Sequence, residues 1–377
     1  MPHAAPLLLA SQTPPTPRYH LPPGVCRAFF MESPMPINLS PTSASAAPVA
    51  VNAQRAQVDL SKLAKLWPTP QDIGDKPLVW VNGRMVPKGQ AMVSVYDHGL
   101  LYGDGIFEGI RIYKGKIFKC KQHLDRLYEC ADKIHLKIPV SREEMEAIQR
   151  ECIRANAIDE GYIRLVVSRG YGTLGLDPRR CPVAGVICIA DQIRLYEPKF
   201  YDEGMRVVVA KRPKTPRECL DPRVKSLNYL NNILAKVEAI EAGCDEAIML
   251  STDGWVTECT GDNIFVIKNG VVYTPPHTTG NSGSLEGITE RFVRTELCPM
   301  VGVQCVVKEM RLDEVLKADE VFLTGTAAEI IGVNAIDVDG PGSGNNVKIG
   351  TGKEGTITRK LRMKFREIVT SDHVPED

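Results

Sequence analysis

From Pro77 onward the apolar residues change period in blocks, and that succession constrains the fold more than any other feature of the chain. Residues 79–86 alternate around Asn82-Gly83, a pair that tolerates the positive φ of a tight hairpin turn. Residues 122–135 carry Leu124, Leu127, Tyr128, Ala131 and Ile134 at helical spacing. Ser141 and Glu144 make a capping-box pattern ahead of Met145, Ile148 and Cys152 on one face. Strand-like runs follow at 162–168, 185–190 and 205–210.

The second half repeats the mixture. Residues 226–242 read as an amphipathic helix with Leu227, Leu230, Leu234 and Val237 as its apolar stripe, ended by Gly243. Runs at 247–250, 263–267, 303–308 and 320–323 read as strands, and 287–297 and 312–317 as helices. Asn269-Gly270 makes a second hairpin turn into 271–274. Blocks, not strict alternation, predict an α+β fold over a doubly wound sheet. The 377 residues accommodate two domains. The polar, proline-containing stretch 196–200 suggests a boundary between a domain at 77–196 and one at 197–377, after a lead-in of 1–76.

Residues 1–56 differ from the rest. They hold one acid (Glu32), three bases (Arg18, Arg27, Arg55) and eleven of the 27 prolines, with no apolar periodicity. Disorder is the expectation. An acid-poor, Ser/Ala-rich start suits an organelle transit peptide and hence a matrix enzyme. Sparse arginine and frequent proline favour an untargeted tail on a cytoplasmic protein, and Met31 or Met35 would serve equally as a start.

Charge and cysteine usage narrow the function. Lys plus Arg and Asp plus Glu are both 46, which argues against nucleic acid as partner. No apolar run approaches the ~20 residues of a membrane span. The eleven cysteines are scattered, with no C-x-x-C pair and no zinc-finger spacing, so reduced thiols and no metal site are expected. The remaining partner class is a small molecule.

Three turns stand out as phosphate cradles: Tyr102–Arg111 with Gly103, Gly105 and Gly109, Leu285–Thr289 opening a helix, and Thr324–Glu329 after a strand. Each alone reads more readily as a plain turn or cap. Lys225 at a helix entry reads alone as a solvated residue, and Glu258 as a loop carboxylate capping amides.

Taken in order, the motifs are Y-G-x-G-x-F-E-G-I-R, H-L-x-R-L, K-S-L-N-Y-L, E-x-x-G-D-N-I-F, L-E-G-I-T and G-T-A-A-E. This succession, spanning about 80–368, resembles the class IV (fold type IV) pyridoxal-phosphate aminotransferases, in particular the branched-chain amino acid aminotransferases. The resemblance implies a two-domain α+β fold with pyridoxal 5′-phosphate between the domains, in a homodimer or higher homo-oligomer. It implies that Lys225 forms the Schiff base and moves the α-proton. Glu258 would pair with the pyridine nitrogen and Tyr229 with the ring's phenolic oxygen. Arg126, Gly287, Ile288, Thr289 and Thr326 would hold the phosphate. Tyr102, Phe107, Gly109 and Tyr162 would line the side-chain pocket, with Ala327 and Ala328 near the substrate carboxylate. Arg164 would meet the second carboxylate of 2-oxoglutarate, the acceptor for amino groups of leucine, isoleucine or valine.

Two departures qualify the match. The branched-chain pattern has proline after Y-I-R, where this chain has Leu165. The K-S-L-N stretch also resembles the D-amino acid aminotransferases, which bind substrate carboxylate with an Arg-x-His pair in the following loop. Here that loop, 175–182, has Arg179 and Arg180 but no histidine. A lyase acting on aminodeoxychorismate is the third member of the class to weigh.

Overall fold

The computed structural model describes residues 68–193, 196–277, 280–281, 283–339 and 345–377. The expectations for residues 1–56 lie outside these. Defined backbone begins ahead of Pro77: Thr69 and Asp72 cap each other's backbone and start α1 (Pro70–Ile73).

The Asn82-Gly83 turn, with φ of 48° and 87°, joins β1 (Leu78–Val81) to β2 (Arg84–Pro87). After α2 (His98–Tyr102), β3 (Gly105–Tyr113) runs nine residues through the segment that reads from sequence as a glycine-rich turn. Of its glycines, only Gly103 takes a left-handed turn conformation, closing α2. There follow β4 (Lys116–Ile117), α3 (Cys120–Lys133), α4 (Arg142–Asn156), β5 (Gly161–Ser168) and β6 (Gly185–Asp191). The six strands form one antiparallel sheet in the order β2-β1-β6-β5-β3-β4. Residues Ile106, Ile110, Ile112, Ile163, Leu165 and Val167 of β3 and β5 pack with Leu124, Leu127, Met145 and Cys152 of α3 and α4. The period of two therefore leaves Phe107, Gly109, Tyr162 and Arg164 on the opposite face.

The chain continues through α5 (Lys199–Glu203), β7 (Met205–Val209), α6 (Leu230–Glu241), β8 (Glu246–Leu250), β9 (Val256–Cys259), β10 (Asn263–Lys268) and β11 (Val271–Thr274). Next, α7 (Ile288–Phe292) passes through a π turn (Val293–Leu297) into α8 (Cys298–Met300). Then come β12 (Cys305–Val307), α9 (Leu312–Leu316), β13 (Glu320–Gly325), β14 (Glu329–Asp337), β15 (Asn346–Lys348) and α10 (Thr356–Val369). The second sheet has the order β12-β11-β10-β13-β14-β7-β8-β9, with β15 on β14. It is mixed: β7 runs parallel to β8 and β14, and β11 to β12. Helices and strands in blocks make the fold α+β, as expected. Among the described residues no helix is long and apolar enough to cross a membrane.

Helix α6 corrects two expectations. It starts at Leu230, not Ser226, because residues 225–227 are held extended along β3: Phe107 N donates to Lys225 O at 3.0 Å and Leu227 N to Gly105 O at 2.9 Å. Its Leu230, Leu234 and Val237 stripe is exposed, and Asn232, Ala235 and Ala239 face inward. The alanines let the helix sit close on β7 and β8, against Val208, Ala247 and Met249. Periodicity marks a face, and packing decides which face is buried.

Candidate active site

A cavity of about 360 Å³ lies over the free face of β3 and β5, within the usual size range for small-molecule sites. Phe107, Gly109, Tyr162 and Arg164 form one wall. Gly109 pairs with Arg164 in the strand register, and a Cβ on Gly109 would stand 1.7 Å from the Tyr162 hydroxyl. No side chain fits there while Tyr162 keeps its place. The Arg164 guanidinium lies over Phe107 at 4.7 Å and over Tyr162 at 5.5 Å from the ring centroids.

Lys225 enters this cavity from the segment pinned to β3. Its Nζ donates to the Tyr229 hydroxyl at 3.0 Å and sits 4.5 Å from the Phe107 ring centroid. Phe107 and Tyr229 meet edge to face at 5.0 Å. The lysine amine is thus fixed by a strand on one side and a helix entry on the other.

Arg126 reaches the cavity from α3 through a buried ion network. Its Nε and NH2 donate to Glu108 at 2.7 Å each, and its NH1 donates to Glu286 O at 2.7 Å. His123 Nδ1 lies 2.8 Å from the second Glu108 oxygen. Glu108 is on the helix-facing side of β3 and fully buried. Burial alone would raise its carboxyl, but Arg126 and then His123 outweigh it and hold the group well below its ordinary value near 4.5. Glu108 therefore contributes stability above that pH and loses it on acidification. Glu108→Gln leaves Arg126 without its counter-charge and should cost about 3–5 kcal/mol near neutrality. Its melting temperature should fall less steeply than wild type below about pH 4.5. Thermal melts across acidic pH check this, and parallel slopes would contradict it.

Glu258 lies on β9, not in a loop. Its Oε2 accepts from Leu285 N at 3.0 Å, and Lys214 Nζ sits 2.5 Å from Oε1. It faces a small adjoining cavity that shares Tyr229, Asn232 and Leu285 with the main one. Asn263 Nδ2 donates to Leu285 O at 2.8 Å and so holds the turn before α7. Gly287 caps α7 without a side-chain bond, leaving the first amides of the helix unclaimed, and a Cβ there would stand 2.1 Å from Asn263 Oδ1. On the same cavity, Thr324 Oγ1 is buried without a hydrogen-bond partner.

Of the residues singled out from sequence, Phe107, Gly109, Arg126, Tyr162, Arg164, Lys225, Tyr229, Gly287, Ile288, Thr289, Thr326 and Ala327 line the main cavity. Glu258 lies in the adjoining one. Tyr102 and Ala328 line neither: Tyr102 is partly exposed with its hydroxyl on Leu174 O, and Ala328 is buried in the core of the second sheet. Sequence reasoning gave no role of their own to Glu108, Lys214, Thr324, Tyr196 and Asp262. Three of them stand within quoted motifs: Glu108 as the acid in F-E-G, Asp262 in G-D-N-I-F and Thr324 at the head of the third turn.

A family model described as amino-transferase class IV matches residues 105–336, from the start of β3 to near the end of β14. The chain belongs to the class IV aminotransferases. It is 45% identical over 292 residues to a Methanocaldococcus jannaschii protein provisionally named branched-chain-amino-acid aminotransferase, covering 78% of this chain and 96% of that one. It is also 35% identical to a Listeria monocytogenes D-alanine aminotransferase, over 77% of this chain and 95% of that one. Among solved structures, the T.th. branched-chain amino acid aminotransferase with pyridoxamine 5′-phosphate matches with a TM-score of 0.72 at 35% identity, covering 78% of this chain and 94% of that one. This aminotransferase is therefore a transaminase whose cofactor is pyridoxal 5′-phosphate. The residues fit that group: Lys225 offers an amine for its aldehyde, and a buried cation at Arg126, unclaimed helix amides after Gly287 and an unpartnered hydroxyl at Thr324 would suit its phosphate.

Proposed function

We propose that this aminotransferase moves the amino group of leucine, isoleucine or valine to 2-oxoglutarate, giving the 2-oxo acids and glutamate. The observation that carries the reading is the Phe107–Tyr162 wall with Arg164 lying over both rings. An alkyl side chain finds an apolar surface there, and a second carboxylate finds a cation on the same surface. Pyridoxal phosphate, when bound, supplies the electron sink that makes the substrate α-proton acidic. Lys225 would hold the cofactor and carry that proton, with Tyr229 fixing its amine. Glu258 would accept from the ring nitrogen. Arg126, Gly287, Ile288, Thr289 and Thr326 would hold the phosphate, and Ala327 would offer its amide to the α-carboxylate. Residues 77–196 and 197–377, each built on its own sheet, would be the two domains flanking the site.

The D-alanine aminotransferase relative is the specific reason to weigh a D-amino acid reading. That reading needs Arg179 or Arg180 on the substrate carboxylate. Arg179 is exposed and paired with Asp177 on its own turn, and neither arginine lines the main cavity. Losing a charge-assisted carboxylate contact costs about 2–3 kcal/mol, roughly 30- to 150-fold in kcat/KM. Arg179→Ala and Arg180→Ala should each change L-leucine turnover less than about tenfold. Arg164→Ala should weaken 2-oxoglutarate more than leucine. The deciding assay is a panel pairing 2-oxoglutarate with L-Leu, L-Ile, L-Val and D-Ala, with release of pyruvate from aminodeoxychorismate followed separately. D-Alanine turnover above that of L-leucine, collapsing in either loop variant, would overturn the reading.

The assembly we propose is a homodimer or higher homo-oligomer. Tyr96, Tyr102, Tyr171 and Leu174, all exposed, come together where Gly172 N donates to Tyr96 O and the Tyr102 hydroxyl to Leu174 O, an apolar surface of the kind that marks an interface. The ten described cysteines are free thiols, which supports a reducing compartment, and we place the enzyme in the cytoplasm.

A further inference from the structure

Four polar side chains of the cavity lining are left unused by the roles above. They are Tyr196, Asp262, Glu246 and Lys236. Asp262 is 6% exposed, and the side chain bonded to it is Tyr196, whose hydroxyl donates to Oδ2 at 3.1 Å. Its Oδ1 faces Gly325, where a Cβ would stand 2.0 Å away. Glu246, also buried, is engaged by contrast: its Oε1 accepts from Ala247 N, Thr260 N and the Thr260 hydroxyl, and Lys236 Nζ lies 3.4 Å from Oε2. Among the described residues no cation comes within ion-pairing distance of Asp262. A buried carboxyl on a substrate cavity, bonded to a neutral phenol and close to a second acid, is poised to take up a proton.

We propose that Asp262 and Tyr196 act as one proton-dependent donor switch that sets how well the cavity accepts a substrate carrying a second carboxylate. The inference rests on the reading of 2-oxoglutarate as co-substrate. When Asp262 is ionised it can only accept, so the Tyr196 O–H is committed to it, and a negative charge stands in the cavity wall. When Asp262 carries a proton, its own O–H donates to the Tyr196 oxygen. The Tyr196 hydrogen is then released to point into the cavity toward an anionic group. Charge and donor availability change in the same direction: the proton favours the dicarboxylate, and its loss disfavours it. An alkyl side chain needs neither.

The surroundings put this change near neutrality. Burial, and behind it the Glu246 charge on β8, push the Asp262 carboxyl up to about 7, against the Tyr196 hydrogen bond and the weaker pull of Lys236 on α6 and Lys225. The other titratable groups around it stay neutral: burial pushes the Cys259 thiol on β9 well above its ordinary value and the Tyr201 phenol on α5 up to about 12. Arg164 is a further cation lining the cavity.

The test is equilibrium binding of two unreactive partners of the pyridoxal-form holoenzyme, 2-oxoglutarate and 4-methyl-2-oxopentanoate, by calorimetry from pH 6 to 8.5. Neither ligand titrates appreciably in this range, so any change in their affinity ratio belongs to the protein. The preference for 2-oxoglutarate should fall about tenfold with rising pH, the effect of one charge-assisted hydrogen bond. Asp262→Asn should make the ratio independent of pH. Tyr196→Phe, which keeps the ring but removes the donor, should lower the ratio at pH 6 about fivefold or more. A flat ratio in the wild type, a wild-type pH dependence in Asp262→Asn, or an unchanged pH 6 ratio in Tyr196→Phe would each overturn the switch. An enzyme that uses 2-oxoglutarate with leucine yet shows a flat ratio retires the switch alone. One that does not use 2-oxoglutarate retires the co-substrate reading.

Discussion

Lys225→Ala should abolish transamination, by more than about 10⁴-fold, while leaving the fold intact. The size follows from the two functions proposed for it, as the amine that would hold the cofactor and the group that would carry the α-proton. The survival of the fold follows from the backbone. Lys225 O accepts from Phe107 N, Leu227 N donates to Gly105 O, and neither bond involves the lysine side chain. The variant should therefore melt near the wild-type temperature but purify without the yellow colour of the loaded enzyme. Borohydride reduction of the wild-type holoenzyme should fix the cofactor on the peptide containing Lys225. Lys236 is the other lysine that lines the cavity, so a label there would move the assignment.

Glu258→Gln should cost about 10³-fold in rate, near 4 kcal/mol, together with a separate loss of stability. The two effects have different origins. In the role proposed for Glu258 the rate would fall because a neutral amide cannot hold a proton on the ring nitrogen as a carboxylate does. Stability falls because Lys214 is largely buried and 2.5 Å from Glu258 Oε1, so the amide leaves a desolvated ammonium without its counter-charge. Adding Lys214→Met should therefore restore much of the melting temperature and none of the rate. Near wild-type turnover in Glu258→Gln would mean that the carboxylate serves only to bind Lys214 and the Leu285 amide.

Much of the fold was legible because local chemistry and tertiary context agree there. Asn82-Gly83 and Asn269-Gly270 adopt the positive φ angles that make those pairs turn formers, and Ser141 with Glu144 caps α4 as the spacing predicts. Of the site, Lys225, Arg126 and the glycine-rich turns were legible only as an ordered set of motifs, because each alone is compatible with a solvent-exposed turn or cap. The glycines of β3 misled local reading: Gly109 suggests a turn, yet it lies in a nine-residue strand because the Tyr162 hydroxyl fills the space its side chain would take. The α6 stripe misled it in the opposite way, since its larger apolar residues lie outward and its alanines meet the sheet.

What the sequence by itself determined is therefore what short-range sterics and capping determine: turns, most strands, the existence of the helices and the residue types on which the chemistry depends. The tertiary structure alone decided which groups meet. Glu108 and Arg126 are 18 positions apart, Lys214 and Glu258 44, and Tyr196 and Asp262 66, and each pair forms only when elements distant in the chain are packed together. The same packing buries both carboxyls: at Glu108 the Arg126 and His123 partners outweigh desolvation and make an ionised anchor, and at Asp262 desolvation and Glu246 prevail and favour the proton. No local pattern encodes that outcome, because the energy of a buried charge depends on everything that surrounds it.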